Sequence, residues 1–164
     1  VTKVYLGLGG NLGDTAQIFA DALDHFEAEK WFVVRRVSSL WRSPAWGFEG
    51  PDFLNAVAEI ETTAEPQTLL KALLHYELQC GRQRGPSMGS RPIDLDLLTW
   101  GSEIISEPGL TLPHPATPKR RFVLEPLSEL ESNLTQPGLG RISEHLAAAR
   151  VADPEVWLHA GFRR

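Results

Sequence analysis

Two aspartates one residue apart, in the run Ser90-Arg-Pro-Ile-Asp-Leu-Asp-Leu-Leu-Thr-Trp-Gly101, constrain this chain more than any other feature. Ile93 to Trp100 reads as a strand, rich in Ile, Leu and Trp and closed by Gly101. Side chains alternate along a strand, so Asp94 and Asp96 share one face with Cα atoms roughly 6.5 Å apart. Ile93, Leu95 and Leu97 fill the other face. Adjacent carboxylates repel, with no Lys or Arg between them, and a cation is the inexpensive remedy. Oxygen ligands at this spacing suit Mg²⁺, which takes one or two carboxylates and completes its shell with water and phosphate oxygens. Arg91, three residues upstream, is placed to hold a phosphate that the metal also touches. The plainer alternative is a solvated face of an antiparallel sheet. The Gly- and Arg-containing loop directly before the pair favours the ion.

A chain of 164 residues suffices for one domain, expected over 1–164, that buries about 70% of its unfolded surface. The net charge of -5 argues against nucleic-acid binding. Six of the 16 basic residues nevertheless fall in two short segments: Arg82, Arg84 and Arg91, then Lys119, Arg120 and Arg121. That pattern suits a small polyanion. Cys80 is the single cysteine, so no internal disulfide can form, and it reads as a packing residue. No apolar run reaches membrane-spanning length, and the N-terminal residues show no signal-peptide pattern. The expectation is a cytoplasmic protein, with no membrane partner, acting as a monomer.

Along the chain, Val4 to Leu8 predicts a strand and Gly9 to Gly13 a turn. Asp14 then caps a helix over 15–29, with Ile18, Phe19, Ala22, Leu23 and Phe26 as its apolar stripe. Residues 31–41 predict one strand, 45–51 a loop, and 53–62 a third strand. A helix from Pro66 to Cys80 follows, with Leu69, Leu70, Leu73, Leu74 and Leu78 inward and Gly81 as its stop. The order βαββαβ implies an α+β, ferredoxin-like core whose helices cover one face of an antiparallel sheet. The remainder reads as a C-terminal α/β extension. It comprises a short strand at 110–112, a stiff Pro113-His-Pro115 corner, a turn of helix near 122–130, a helix over 142–149, and a tail anchored by Trp157 and Phe162.

Phe53 and Asn55 share one strand face, where a ring and an amide could stack on and hydrogen-bond a flat heterocycle. They read equally as a core ring and a strand-edge cap, and Phe122 carries the same two readings. His114, held between prolines, could donate to a phosphate oxygen while Arg82, Arg91 and Arg120 spread over the other phosphates. His25, His75, His145 and His159 have no catalytic part in this reading. The glycines at 9, 10 and 13 match neither Gly-x-Gly-x-x-Gly nor the Walker spacing, which weakens a phosphate loop there. Together these residues point to metal-assisted phosphoryl or pyrophosphoryl transfer from a nucleotide to a heteroaromatic acceptor.

Five segments carry a family resemblance: Leu6-Gly-Leu-Gly-Gly-Asn-Leu-Gly-Asp14, Pro51-Asp-Phe-Leu-Asn-Ala-Val57, Gly81-Arg-x-Arg84, Arg91-Pro-Ile-Asp-Leu-Asp-Leu-Leu98, and Leu112-Pro-His-Pro115 followed by Arg120-Arg-Phe122. Jointly and in this order they resemble the 6-hydroxymethyl-7,8-dihydropterin pyrophosphokinases of folate biosynthesis. The resemblance implies transfer of the terminal diphosphate of ATP to the pterin's hydroxymethyl oxygen, with release of AMP. It further implies two Mg²⁺ ions on Asp94 and Asp96, and catalytic phosphate contacts from Arg82 and Arg91. Arg84, His114 and Arg120 would complete the nucleotide site. The pterin would stack between Phe53 and Phe122, with Asn55 reading its edge and Ser43, Pro44 and Trp46 closing the pocket. Phe53 stands where members often carry Tyr, which keeps the stacking and drops a hydroxyl contact.

Two rivals use the same residues differently. A metal-dependent nucleotide hydrolase would use both aspartates but no acceptor pocket. An RNA-recognition module would use the sheet aromatics, against the negative charge and without that module's aromatic-basic strand signature.

Overall fold

In the computed structural model, which describes residues 1–45, 47–81, 89–153 and 155–162, the chain opens with β1 (Thr2–Gly10) and α1 (Thr15–Ala28). β1 runs past the expected end at Leu8 because Gly9 and Gly10 continue the ladder, opposite Asn55 and Leu54 of β4 (Phe53–Thr62). A Cβ on Gly10 would lie 2.4 Å from the Pro92 carbonyl oxygen, so only glycine allows this approach. The turn is thereby confined to the residues after Gly10. Asp14 caps α1 as expected, its carboxylate accepting the Gln17 N–H at 3.3 Å.

The single strand expected over 31–41 is two strands, β2 (Val33–Val37) and β3 (Leu40–Ser43). Ser38 makes the break: it is buried, its N–H donates to the Val57 carbonyl, and its Oγ accepts the Val57 N–H, each at 2.9 Å. Both strands therefore still pair with β4. α2 (Pro66–Gln79) buries Leu69, Leu73 and Glu77, spaced four apart. Leu74 and Leu78, expected inside, are 48% and 42% exposed. The inward stripe lies a quarter-turn away from the one that five leucines suggested, and a carboxylate completes it.

β5 (Asp94–Trp100) follows. The main sheet runs from β10 (Trp157–Ala160) through β3, β4 and β1 to β5, with β2 also on β4 and every pairing antiparallel. β10 forms the far edge. An extra residue at Leu98 shifts the β1–β5 register, because Leu6 faces Leu97 while Tyr5 faces Thr99.

The two helices of the core cover one face of this sheet, as expected, and helices of the C-terminal extension cover the other. Leu6, Leu95, Leu97, Ala58 and Ile60 pack under α1 and α2. Tyr5, Val57 and Leu98 pack on the other face against α3 (Arg121–Leu130) and α4 (Ile142–Ala152). Both faces of β4 are buried, so its sequence alternation does not separate core from solvent. Truncating Leu124 or Leu127, each fully buried in the second layer, to Ala should cost about 2–5 kcal/mol.

The short strand expected at 110–112 is β7 (Leu110–Leu112), but its hairpin partner β6 (Ile105–Glu107) and the hairpin of β8 (Thr135–Gln136) with β9 (Gly140–Arg141) escaped the sequence pattern. α3 spans ten residues, one more than the 122–130 stretch expected to be helical. Phe162 does anchor the tail, its ring 6.1 Å from Phe19, but Trp157 is 44% exposed on the edge strand. Among the described residues, no helix is long and apolar enough to cross a membrane.

Candidate active site

Asp94 and Asp96 leave the sheet on the same side as Leu98, opposite buried Leu95 and Leu97, as strand alternation requires. All three line a cavity of about 680 Å³ on the α3 face. Its walls also include Ser43, Pro44, Phe53, Asn55, Arg91, His114, Arg120 and Phe122. Ten residues expected at a site from sequence thus meet in one hollow. Trp46, Arg82 and Arg84 lie outside the described residues.

The start of β5 is fixed from behind. Glu77 on α2 is 2% exposed, and its carboxylate accepts the Leu95 N–H at 2.6 Å. This bond between the two aspartates pins the strand that carries them. Nothing in the leucine-rich pattern of α2 marked Glu77 as inward.

Asp94 has a partner that the sequence did not supply. The Arg91 guanidinium lies 3.2 Å from its carboxylate, and both side chains are about four-fifths buried. Arg91 also donates from Nε to the Gly89 carbonyl at 3.0 Å and lies 5.7 Å from the Phe53 ring centre. An arginine therefore neutralises one member of the pair, while Asp96 remains exposed to the cavity. Among the described residues no cluster of three or more His, Cys, Asp or Glu could enclose a metal. A two-carboxylate donor set fits Mg²⁺, which fills its other positions with water and phosphate, and not a caged structural ion.

His114 lies at the corner after the cis Leu112–Pro113 peptide, its N–H donating to the Leu98 carbonyl at 2.8 Å. Its Nδ1 accepts the Ala116 N–H at 3.2 Å, so the neutral ring carries its proton on Nε2. Burial holds this imidazole below its usual range, with Asp96 pulling it up and Arg120 pushing it further down. A neutral ring can then donate one hydrogen bond without adding charge.

The other end of the cavity is aromatic and amide-lined. Asn55, 5% exposed, donates from Nδ2 to Ser43 Oγ at 3.0 Å, which fixes the amide plane on a strand paired along both edges. The strand-edge reading of Asn55 therefore fails. Phe48 meets Phe53 edge-on at 6.2 Å, and Arg120 lies 5.8 Å from the Phe122 ring centre. Phe53 and Phe122 come from β4 and α3 but face one hollow.

Asn11 was missed. It is buried, and its Nδ2 lies 3.0 Å from both the Pro51 carbonyl and Ser90 Oγ. The segment after β1 is thereby tied to the loop before β4 and to the loop before β5. Its place in Gly9-Gly-Asn-Leu-Gly13 looked like an ordinary turn. Lys119, from the basic segment noted in the sequence, also lines the cavity, as do Ala152 and Asp153, which had not been foreseen. His25 and His75 line a separate depression of about 470 Å³ between α1 and α2.

The sequence model of the 7,8-dihydro-6-hydroxymethylpterin-pyrophosphokinase family matches residues 5–132. A 2-amino-4-hydroxy-6-hydroxymethyldihydropteridine pyrophosphokinase of Methylorubrum extorquens is 40% identical over 139 residues, 84% of this chain and 88% of that protein. The Pseudomonas aeruginosa protein of the same name is 38% identical over 149 residues, 90% of this chain and 92% of its own. The fold is similar to crystal structures of Plasmodium falciparum HPPK-DHPS, one with pteroate (TM-score 0.70, 14% identity) and one with SDX-DHP (TM-score 0.72, 12% identity). Each covers 93% of this chain, which spans 43% and 45% of those longer chains.

Proposed function

The chain belongs to the 7,8-dihydro-6-hydroxymethylpterin-pyrophosphokinase family, and from that membership we propose how its cavity divides the work of the reaction. The enzyme transfers the diphosphate of ATP to the hydroxymethyl group of 6-hydroxymethyl-7,8-dihydropterin in folate biosynthesis, releasing AMP. The observation that carries the assignment is the presence in one hollow of an acidic, arginine-lined end and an aromatic, amide-lined end.

Asp94 and Asp96 would hold Mg²⁺, two ions in our reading, which when bound neutralises the triphosphate and polarises its β-phosphorus. Arg91 is shared between Asp94 and the phosphates, so that carboxylate, guanidinium and substrate form one charged network. Arg120 and the Nε2–H of His114 bond further phosphate oxygens, and Arg82 and Arg84 extend the same contacts. Phe53 and Phe122 stack on the pterin, while Asn55 offers its carbonyl oxygen and remaining N–H to the heterocycle edge. Ser43 keeps that amide oriented, and Pro44 and Trp46 close the rim. With both substrates held, the hydroxymethyl oxygen attacks the β-phosphorus and the bond to the α-phosphate oxygen breaks.

With β2 and β3 counted as one interrupted strand, the order βαββαβ in the antiparallel sheet supports a ferredoxin-like core with a C-terminal extension, folded as one domain over 1–164. We place the enzyme in the cytoplasm as a monomer acting on small molecules, with no nucleic-acid or membrane partner. The deciding experiment is AMP release from ATP and Mg²⁺ with and without hydroxymethyl-dihydropterin. A pyrophosphokinase requires the acceptor; equal AMP release without it would replace this reading with a hydrolase.

A further inference from the structure

The family match ends at residue 132, yet Ala152 and Asp153 form part of the cavity wall. Their position is set by a charged cluster that does not itself line the cavity. Glu125 of α3 is 3% exposed and accepts from Arg121 Nε at 2.8 Å and from Arg150 Nη2 at 2.6 Å. A second bond, from Arg150 Nε at 3.2 Å, makes the Arg150 contact two-pronged. Arg121 turns its Nη1 to the Asp153 carbonyl at 2.7 Å. One buried carboxylate thus fixes the end of α4 against the start of α3, next to Phe122.

Topology identifies which end of the cavity this wall serves. β10 pairs with β3, placing Trp157 opposite Arg42, one residue before Ser43. The sheet order puts β10 and β3 at the edge opposite β5, which carries Asp94 and Asp96. β10 therefore borders the Ser43 edge and not the carboxylate edge, and the end of α4, bonded to Arg121 beside Phe122 and packed on residues 117–119, leads into it.

We propose that Ala152 and Asp153 are the outer wall of the pterin end and help determine affinity for the pterin, with Glu125, Arg121 and Arg150 as positioning residues. The inference rests on the pyrophosphokinase reading above. Arg150 does not line the cavity, and its guanidinium bonds Glu125, whose loss of this partner loosens the wall without touching any substrate. Ala152 is exposed, so added carbons there intrude on the rim and not on the core.

The test is steady-state AMP release by Arg150→Met and Ala152→Leu, with KM measured for each substrate and thermal midpoints alongside. The expected result is a rise in pterin KM of about fivefold for Arg150→Met and about tenfold for Ala152→Leu, the size of a pocket altered by a few carbons. KM for ATP and kcat should change little. A lower midpoint for Arg150→Met with unchanged pterin KM, and an unchanged pterin KM for Ala152→Leu, would show a purely structural cluster and overturn the proposal. Equal changes in both KM values would overturn it too. Wild-type AMP release indifferent to the pterin would instead remove the functional reading, and this inference with it.

Discussion

Asn11 and Arg91 are joined twice: the Asn11 N–H donates to the Arg91 carbonyl at 3.0 Å, and the Arg91 N–H donates to Asn11 Oδ1 at 2.8 Å. The backbone of the residue that pairs with Asp94 is therefore held on both its N–H and its carbonyl by a residue 80 positions earlier in the sequence. Asn11→Ala removes that acceptor together with both donor contacts of its Nδ2. A buried N–H left without its partner costs about 1–3 kcal/mol. We expect a lower thermal midpoint and a fall in kcat larger than the change in either KM, because Arg91 loses its fixed origin. Full kcat in a folded Asn11→Ala variant would show that the tie serves stability alone.

Asp96 offers the cleanest separation of chemistry from folding. Its side chain is exposed to the cavity, so Asp96→Ala should leave the thermal midpoint nearly unchanged. Losing a metal ligand should lower turnover by on the order of 10²-fold or more. Chelation of Mg²⁺ should stop wild-type AMP release without unfolding the protein. Normal activity of Asp96→Ala, with Mg²⁺ as the only divalent ion, would refute the metal assignment.

Phe53→Ala should weaken the pterin far more than ATP. A stacked ring contributes about 1–3 kcal/mol, and Phe53 also faces Arg91 and Phe48. Pterin binding measured by fluorescence titration, beside ATP binding by calorimetry, would show the difference. Equal losses for both ligands would mean that Phe53 acts through Arg91 and not through stacking.

The sequence revealed most where a local rule had one strong consequence. Asp94 and Asp96 share a face because strands alternate, and Phe53 to Thr62 is a strand at the residues expected. Asp14 caps α1 for the same kind of local reason. It revealed least where distant segments decide the outcome. Ser38 divides one apparent strand through its two bonds to Val57 on a neighbouring strand. Glu77 is inward because the β5 backbone supplies its donor, and leucine spacing along α2 carries no trace of that. Arg91 neutralises Asp94 only once the strand start is folded. The second helical layer was hidden for a similar reason: Tyr5, Val57 and Leu98 become core only when α3 and α4 return to cover them.

Acid should loosen the junction between α3 and α4 through Glu125. Burial alone would raise this carboxyl, but hydrogen bonds from Arg150 and Arg121 outweigh it and hold the pKa below the ordinary 4.5. The unfolded chain then binds the proton more readily than the folded one, so stability rises with pH across this titration. The contribution is complete above the ordinary value of 4.5 and is lost as pH falls through the lower, folded value. Glu125→Gln replaces the charge that both guanidinium groups need, so it should be the less stable protein near neutrality. Its deficit relative to wild type should shrink as the wild-type carboxyl takes up its proton. Urea midpoints of the two proteins from about pH 7 to about pH 3 give the comparison. A gap that stays constant over that range would place the acid-sensitive contacts elsewhere, with the Lys3–Glu131 and Arg35–Glu61 pairs next in line because their carboxyls are also held low.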